Sequence, residues 1–142
     1  MSAVKTVLAF DYGLRNIGLA QGNLLSRTAQ ELKPLKAKDG TPNWDEIAKL
    51  LKEWQPDLIV VGLPLNMDDS ESELSARARK FGNRIHGRFG IKVEMMDERL
   101  SSFAAKEEAS ERGQYGNYSK QPIDSIAARL ILESWLTKQD QP

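Results

Sequence analysis

The chain has 142 residues and a mass of 15.9 kDa, the length of one ordinary domain with a core of its own and too short for two independent ones. Twenty Lys and Arg balance twenty Asp and Glu, and 40% hydrophobic with 28% charged residues is a globular composition, neither disordered nor membrane-spanning. A pI near 6.6 excludes a surface coated in basic residues, so any phosphate-binding footprint must be local. With no cysteine, disulfides, Cys-ligated zinc, iron–sulfur clusters and thiol nucleophiles are excluded together. The single histidine, His86, stands between basic residues and reads as a surface side chain.

Met1 to Lys5 lack the basic and apolar regions of a signal peptide, and no apolar run approaches the ~20 residues of a membrane span, so a cytoplasmic address without membrane contact is expected. Thr6 to Phe10 is continuously apolar, as a strand buried on both faces reads, and it stops at Asp11-Tyr12-Gly13. Ile17 to Ala20 and roughly Ser26 to Leu35 follow as antiparallel strands. After Asp39-Gly40-Thr41-Pro42, Asn43 and Glu46 stand at capping-box spacing, and Trp44, Ile47, Leu51 and Trp54 share one helical face. Asp57 to Gly62 is a second buried strand, halted at Gly62-Leu63-Pro64. The pattern then predicts a helix from about Ser70 to Arg88, a strand from Ile91 to Met96, and helices from about Ser101 to Arg112 and Pro122 to Thr137. Three early strands followed by this alternation predict an α/β fold with a mixed five-stranded sheet, three strands antiparallel and then parallel ones, flanked by helices.

Carboxylates gather at element ends. Asp11 ends the first buried strand, where open α/β sheets place their ligands, although it also suits a turn with Gly13. Asp97-Glu98-Arg99 closes the strand from Ile91; capping of the next helix accounts for one of those acids better than for two. Asp124 precedes Ala127, Ala128, Ile131 and Trp135 at helical spacing, so it aligns with an apolar stripe and must be desolvated, paired or bound to a cation. Oxygen-only donors without His or Cys suit Mg²⁺ or Mn²⁺, one or two ions that clamp attacking water and leaving oxygen in phosphoryl displacement. No Walker A loop is present.

Between Ser75 and Lys92 the cations Arg77, Arg79, Lys80, Arg84, Arg88 and Lys92 occur without an acid. At 100° per residue Arg77, Lys80, Arg84 and Arg88 form one stripe beside the apolar stripe Leu74, Ala78, Phe81 and Ile85. A solvated helix face usually mixes signs, and this one does not, which makes it a candidate nucleic-acid contact.

Taken together, Ala9-Phe10-Asp11-Tyr12-Gly13, Ile17-Gly18, the run from Val61 to Met67, the run from Asp97 to Ser101 and the run from Ile123 to Ala128 resemble the YqgF family. These are Holliday-junction-resolvase-like or pre-16S rRNA nuclease proteins of the ribonuclease H-like superfamily, and the similarity runs from about Val7 to Leu136. The resemblance implies a ribonuclease H-like fold, and Asp11, Glu98 and Asp124 as catalytic, metal-binding acids with Asp97 as a neighbour. It further implies that Gly62-Leu63-Pro64 and the basic helix lie beside the site and that the substrate is structured nucleic acid, for which Arg77, Lys80, Arg84, Arg88 and Arg99 are the candidate contacts. Leu14 and Asp69 depart from the residues common in relatives, Thr and Gly respectively, both in rim loops.

The expected activity is therefore a Mg²⁺-dependent phosphodiesterase of ribosome biogenesis, processing the 5′ end of pre-16S rRNA and meeting ribosomal particles. Branched DNA, as for a Holliday junction resolvase, is the alternative substrate, and a non-catalytic nucleic-acid or ribosome-binding module is the alternative class. An actin-like or sugar-kinase ATPase shares the Asp-x-Gly start but needs two such domains to clamp its nucleotide.

Overall fold

The computed structural model describes residues 5–63, 72–97 and 123–139, with side chains in the last stretch from Ser125 onward. Six strands form one sheet: β1 Thr6–Asp11, β2 Asn16–Asn23, β3 Thr28–Lys38, β4 Thr41–Pro42, β5 Leu58–Leu63 and β6 Lys92–Asp97. Among the described residues three helices accompany them, α1 Trp44–Trp54, α2 Glu73–Phe89 and α3 Ile123–Gln139. The strands lie in the order β4-β3-β2-β1-β5-β6; β1 to β4 pair antiparallel, and β1, β5 and β6 pair parallel. The mixed sheet is as expected, with one strand more than the five predicted. That strand is β4, two residues closing on Ala37 and Lys38, too short for periodicity and carrying a proline that reads as a break. The helix expected from Ser101 to Arg112 falls outside the described residues.

Alternation divides the core into two layers. Leu8 and Phe10 of β1, with Ile59 and Val61 of β5, pack beneath Ile47 and Leu51 of α1 and Ala78, Phe81 and Ile85 of α2. Val7 and Ala9, with Ala20, Leu58 and Val60, pack on the other face against Ala128, Ile131, Leu132 and Trp135 of α3. Every residue of β5 is buried, which accounts for its unbroken apolar run.

Local chemistry sets the helix ends. Asn43 Oδ1 accepts from the N–H groups of Asp45 and Glu46 at 2.9 and 3.3 Å, filling two of the donors that α1 leaves unpaired. At α2, Ser72 Oγ accepts from the Ser75 N–H at 3.2 Å and Ser75 Oγ accepts from the Ser72 N–H at 3.0 Å, so this capping box starts the helix at Glu73, later than the expected start near Ser70. Between β2 and β3 the register slips, with Ile17 opposite Leu35 but Leu19 opposite Leu32. β3 uses one residue more than β2 there, and Pro34, which has no N–H to give, lies within the excess.

Asp57 clasps the start of the central strands, its Oδ2 accepting from the N–H groups of Lys5 and Thr6 at 2.9 and 3.0 Å. The Thr6 bond first, then the Lys5 bond and the Lys5 charge, hold its pKa below the usual carboxylate value. A depressed folded pKa stabilises the fold above the unfolded value of ~3.9 and ceases to do so as pH falls through the folded one. Asp57→Asn is therefore expected to melt lower than the parent at neutral pH, and the gap should narrow as pH drops below ~4. A gap independent of pH in thermal melts would show that the charge contributes nothing.

Candidate active site

Which acids share a face follows from strand parity. Asp11 has the parity of Val7 and Ala9, so it stands on the α3 face at the carboxyl end of β1, half-buried. Its partner on β2 is Gly18. On the other side Phe10 pairs with Val61, which puts Gly62 level with Asp11 on β5. Neither adjoining strand sets a side chain beside this carboxylate, an arrangement that suits close approach by a ligand.

On β6, Val93 and Met95 pack with the α2 layer and Met96 with the α3 layer. Asp97 continues the alternation of Val93 and Met95 and so belongs to the α2 face, away from Asp11. From β6, Asp97 thus does not serve Asp11's face. Glu98 and Arg99 lie outside the described residues.

The start of α3 is fixed beside Asp11 by a residue that sequence reasoning missed. Ser125 Oγ donates to the Leu32 carbonyl at 2.6 Å and accepts from the Leu19 N–H at 3.4 Å, spanning the place where the bulge interrupts the β2–β3 ladder. Leu19 adjoins Gly18, the partner of Asp11, and Ser125 adjoins Asp124 in the chain. Farther along, α3 lies so close to β2 that a Cβ on Gly22 would come within 2.7 Å of Leu132 Cδ2. The Asp124 side chain itself falls outside the described residues. Ser125 to Ala128 are all buried, so that turn of α3 is covered on every side and its apolar stripe there does not single out a face. Among the described residues, no three His, Cys, Asp or Glu gather into a metal-binding group.

Only the register slip reveals the work of Ser125, because Ser in a first helical turn ordinarily reads as a cap. Ser125→Ala should cost about 1–3 kcal/mol, since the Leu19 N–H and Leu32 carbonyl would be left unpaired in the interior. Chemical denaturation measures it, and Ser125→Thr, which keeps the hydroxyl, should recover part of the loss.

The loop after Asp11 is latched to the β3–β4 turn. Tyr12 Oη donates to the Gly40 carbonyl at 2.7 Å, Gly40 N–H donates to Leu14 and Ala37 N–H to Arg15, both at 2.8 Å. Gly40 has φ +81°, and a Cβ there would overlap the Tyr12 hydroxyl, so both backbone and space require glycine. Arg77 joins this latch: its Nη2 donates to the Asp39 carbonyl at 2.8 Å and its Nη1 lies 3.6 Å from Asp39 Oδ1.

Arg77 is thus not the solvated cation that the stripe on α2 suggests. Nor is Arg88, whose guanidinium lies 4.4 Å above the Trp44 ring and braces α2 against the start of α1. Lys80 and Arg84 are exposed. The stripe belongs to a helix on the sheet face opposite to that of Asp11.

Residues 5–138 match the family model described as RuvX, Holliday junction resolvase. The chain belongs to that family. A protein of Saccharophagus degradans named "Putative pre-16S rRNA nuclease" is 62% identical over 131 residues, covering 92% of each chain. One of Photobacterium profundum with the same name is 59% identical over 140 residues, covering 98% of this chain and 99% of that one. Among solved structures, Thermus thermophilus RuvC in complex with a Holliday junction substrate superposes with a TM-score of 0.60 at 18% identity, covering 94% of this chain and 95% of that one. The fowlpox virus resolvase with Holliday junction DNA gives 0.59 at 18% identity, covering 96% and 99%. This chain therefore shares the fold of these resolvases, which in this chain is the expected mixed sheet with helices on both faces. No helix among the described residues is long and apolar enough to cross a membrane.

Proposed function

We propose that this chain is a metal-dependent nuclease that hydrolyses phosphodiester bonds of structured nucleic acid in the cytoplasm. The observation that carries this reading is Asp11 at the end of β1, flanked by Gly18 and Gly62, with the start of α3 pinned by Ser125 to the adjoining β2 residues. Asp11, Glu98 and Asp124 are the proposed catalytic acids. Of the adjacent acids Asp97 and Glu98, Glu98 is preferred because Asp97 has the parity of the opposite face.

The donor set fits a hard cation, since these acids offer only carboxylate oxygens and the chain has no cysteine and one histidine. One or two Mg²⁺ or Mn²⁺ ions held there would supply a lowered water pKa and neutralise charge developing on the scissile phosphate. Gly18 and Gly62 add no side chain to the strands that flank Asp11, and Ser125 keeps the α3 end of the site in register with β1. The latch of Tyr12, Gly40 and Arg77 fixes the rim loop from Gly13 to Arg15 beside it. Arg77 and Arg88 serve these internal contacts first, so Lys80 and Arg84 remain as the part of the α2 stripe offered to phosphate, with Arg99 as a further candidate. Charge reversal of Lys80 and Arg84 should make the dependence of log K on log salt shallower by roughly 1–2, read from binding titrations between low and physiological salt.

The 5′ end region of pre-16S rRNA, free or within ribosomal particles, is the substrate favoured by the names of relatives 55–62% identical over most of the chain. Branched DNA is the second reading, favoured by the family's description. Purified protein incubated with Mg²⁺ or Mn²⁺ and a pre-16S rRNA 5′ fragment, beside a four-way DNA junction, tests both. Cleavage of the RNA alone selects the first and of the junction alone the second; cleavage of neither, with binding retained, selects a non-catalytic module.

A further inference from the structure

Cations on the sheet, away from α2, share the face of Asp11. Lys36 pairs with Asn16, and its neighbours Leu35 and Ala37 belong to the layer under α1 and α2, so Lys36 and Lys38 alternate onto the α3 face. Asn16 and Gly18 occupy that same face of β2, and Gly18 is the partner of Asp11. Arg15, one residue before β2, is tied by its carbonyl to the Ala37 N–H, between the two lysines. Arg15, Asn16, Lys36 and Lys38 are all exposed.

The nearby acids are occupied elsewhere. Asp39 follows Lys38 but turns its carboxylate to Arg77, and Glu31 of β3 meets Arg129 Nε at 2.9 Å. Among the described residues, none pairs with Arg15, Lys36 or Lys38 in an ion pair. The ledge is therefore positive on a chain of zero net charge, and it lies on the same sheet face as the carboxylate at which phosphorus would be attacked.

We propose that Lys36 and Lys38, with Arg15, form a phosphate-binding ledge that holds the nucleic-acid strand on the β3 side of the reacting phosphate. The proposal rests on the nuclease reading for its register relative to Asp11. Two strands across is ~10 Å and two residues along is ~7 Å, which sets Lys36 about 12 Å from Asp11. That distance lies beyond the reacting phosphate itself and falls on the flanking backbone of the same strand. The ledge holds the flanking backbone and leaves the reacting phosphate to the acids. It therefore contributes binding and orientation, without a share in the chemistry.

The test compares Lys36→Gln/Lys38→Gln with the parent, and with Lys49→Gln/Lys52→Gln as a charge-matched control whose exposed positions lie on α1, across the sheet. The probes are a fluorescein-labelled pre-16S rRNA 5′ fragment and a labelled four-way DNA junction, titrated over a salt series, followed by cleavage kinetics in Mg²⁺ on whichever probe is cut. The ledge variant should bind about tenfold more weakly, with a log K against log salt slope shallower by roughly 1.5–2, while the control stays within about twofold of the parent. KM should rise and kcat stay within about twofold, and adding Arg15→Gln should deepen the binding loss. A ledge variant that binds like the parent, or no worse than the α1 control, overturns the proposal and leaves the nuclease reading intact. A parent that binds through the ledge but cleaves neither probe overturns the nuclease reading and leaves the ledge as a binding surface. A parent that binds neither probe overturns the ledge as well.

Discussion

Asp11→Asn is expected to abolish cleavage while nucleic-acid binding is kept or becomes stronger. The substitution preserves the shape of a half-buried residue flanked by Gly18 and Gly62, so the strand end stays as it is. What it removes is one negative charge and an anionic oxygen donor. Losing residues that merely orient metal ligands already costs ~10–100-fold, so the loss of a ligand should exceed ~100-fold in rate. Binding is retained because a carboxylate repels phosphate where no cation screens it. Glu98→Gln and Asp124→Asn should behave alike, and single-turnover assays beside binding titrations read both quantities. A substitution that leaves cleavage intact excludes that residue from the site.

Thermal melting should reveal the same cluster without any substrate. If Asp11, Glu98 and Asp124 meet at one sheet rim as proposed, they repel one another in metal-free protein, and the most desolvated of them is the costliest to keep charged. Asp124→Asn should then melt higher than the parent in chelator. Millimolar Mg²⁺ or Mn²⁺ should reverse the order, because a ligand that binds only the folded state stabilises it by about 2.7 kcal/mol at a hundredfold excess over Kd. At roughly 2–4 °C per kcal/mol for a chain near 150 residues, the parent gains several degrees and the mutant much less. If Asp124 only caps α3, Asn caps nearly as well but loses the favourable dipole interaction. The mutant then melts at or below the parent in chelator, and metal moves both proteins equally, an outcome incompatible with a shared site.

Much of the fold was legible residue by residue. The apolar runs of β1 and β5 read as doubly buried strands, and both are; Asn43 read as a cap, and its side chain accepts from two N–H groups. These features depend on neighbours within four residues, where periodicity and capping chemistry act. The sixth strand was not legible, because two residues have no period, and the start of α2 was ambiguous because Ser70 and Ser72 are both able caps ahead of Leu74, the first apolar residue of the helix.

The site divides in the same way. The sequence determined by itself that the chemistry available is carboxylate oxygen without thiol or imidazole clusters, that Asp11 ends a buried strand, and that the cations of α2 form one stripe. Tertiary structure decided what those residues adjoin. Pairing with Gly18 and the level of Gly62 define the surroundings of Asp11, and parity turns Asp97 away from it. The Asp39 carboxylate and carbonyl and the Trp44 ring engage Arg77 and Arg88. A one-residue slip between β2 and β3 makes Ser125 the anchor of α3, and register places Lys36 and Lys38 on the face of Asp11. The physical reason is that a strand's period of two fixes which residues share a face, but only the register between strands, set by hydrogen bonds over long sequence separations, fixes which strand ends meet.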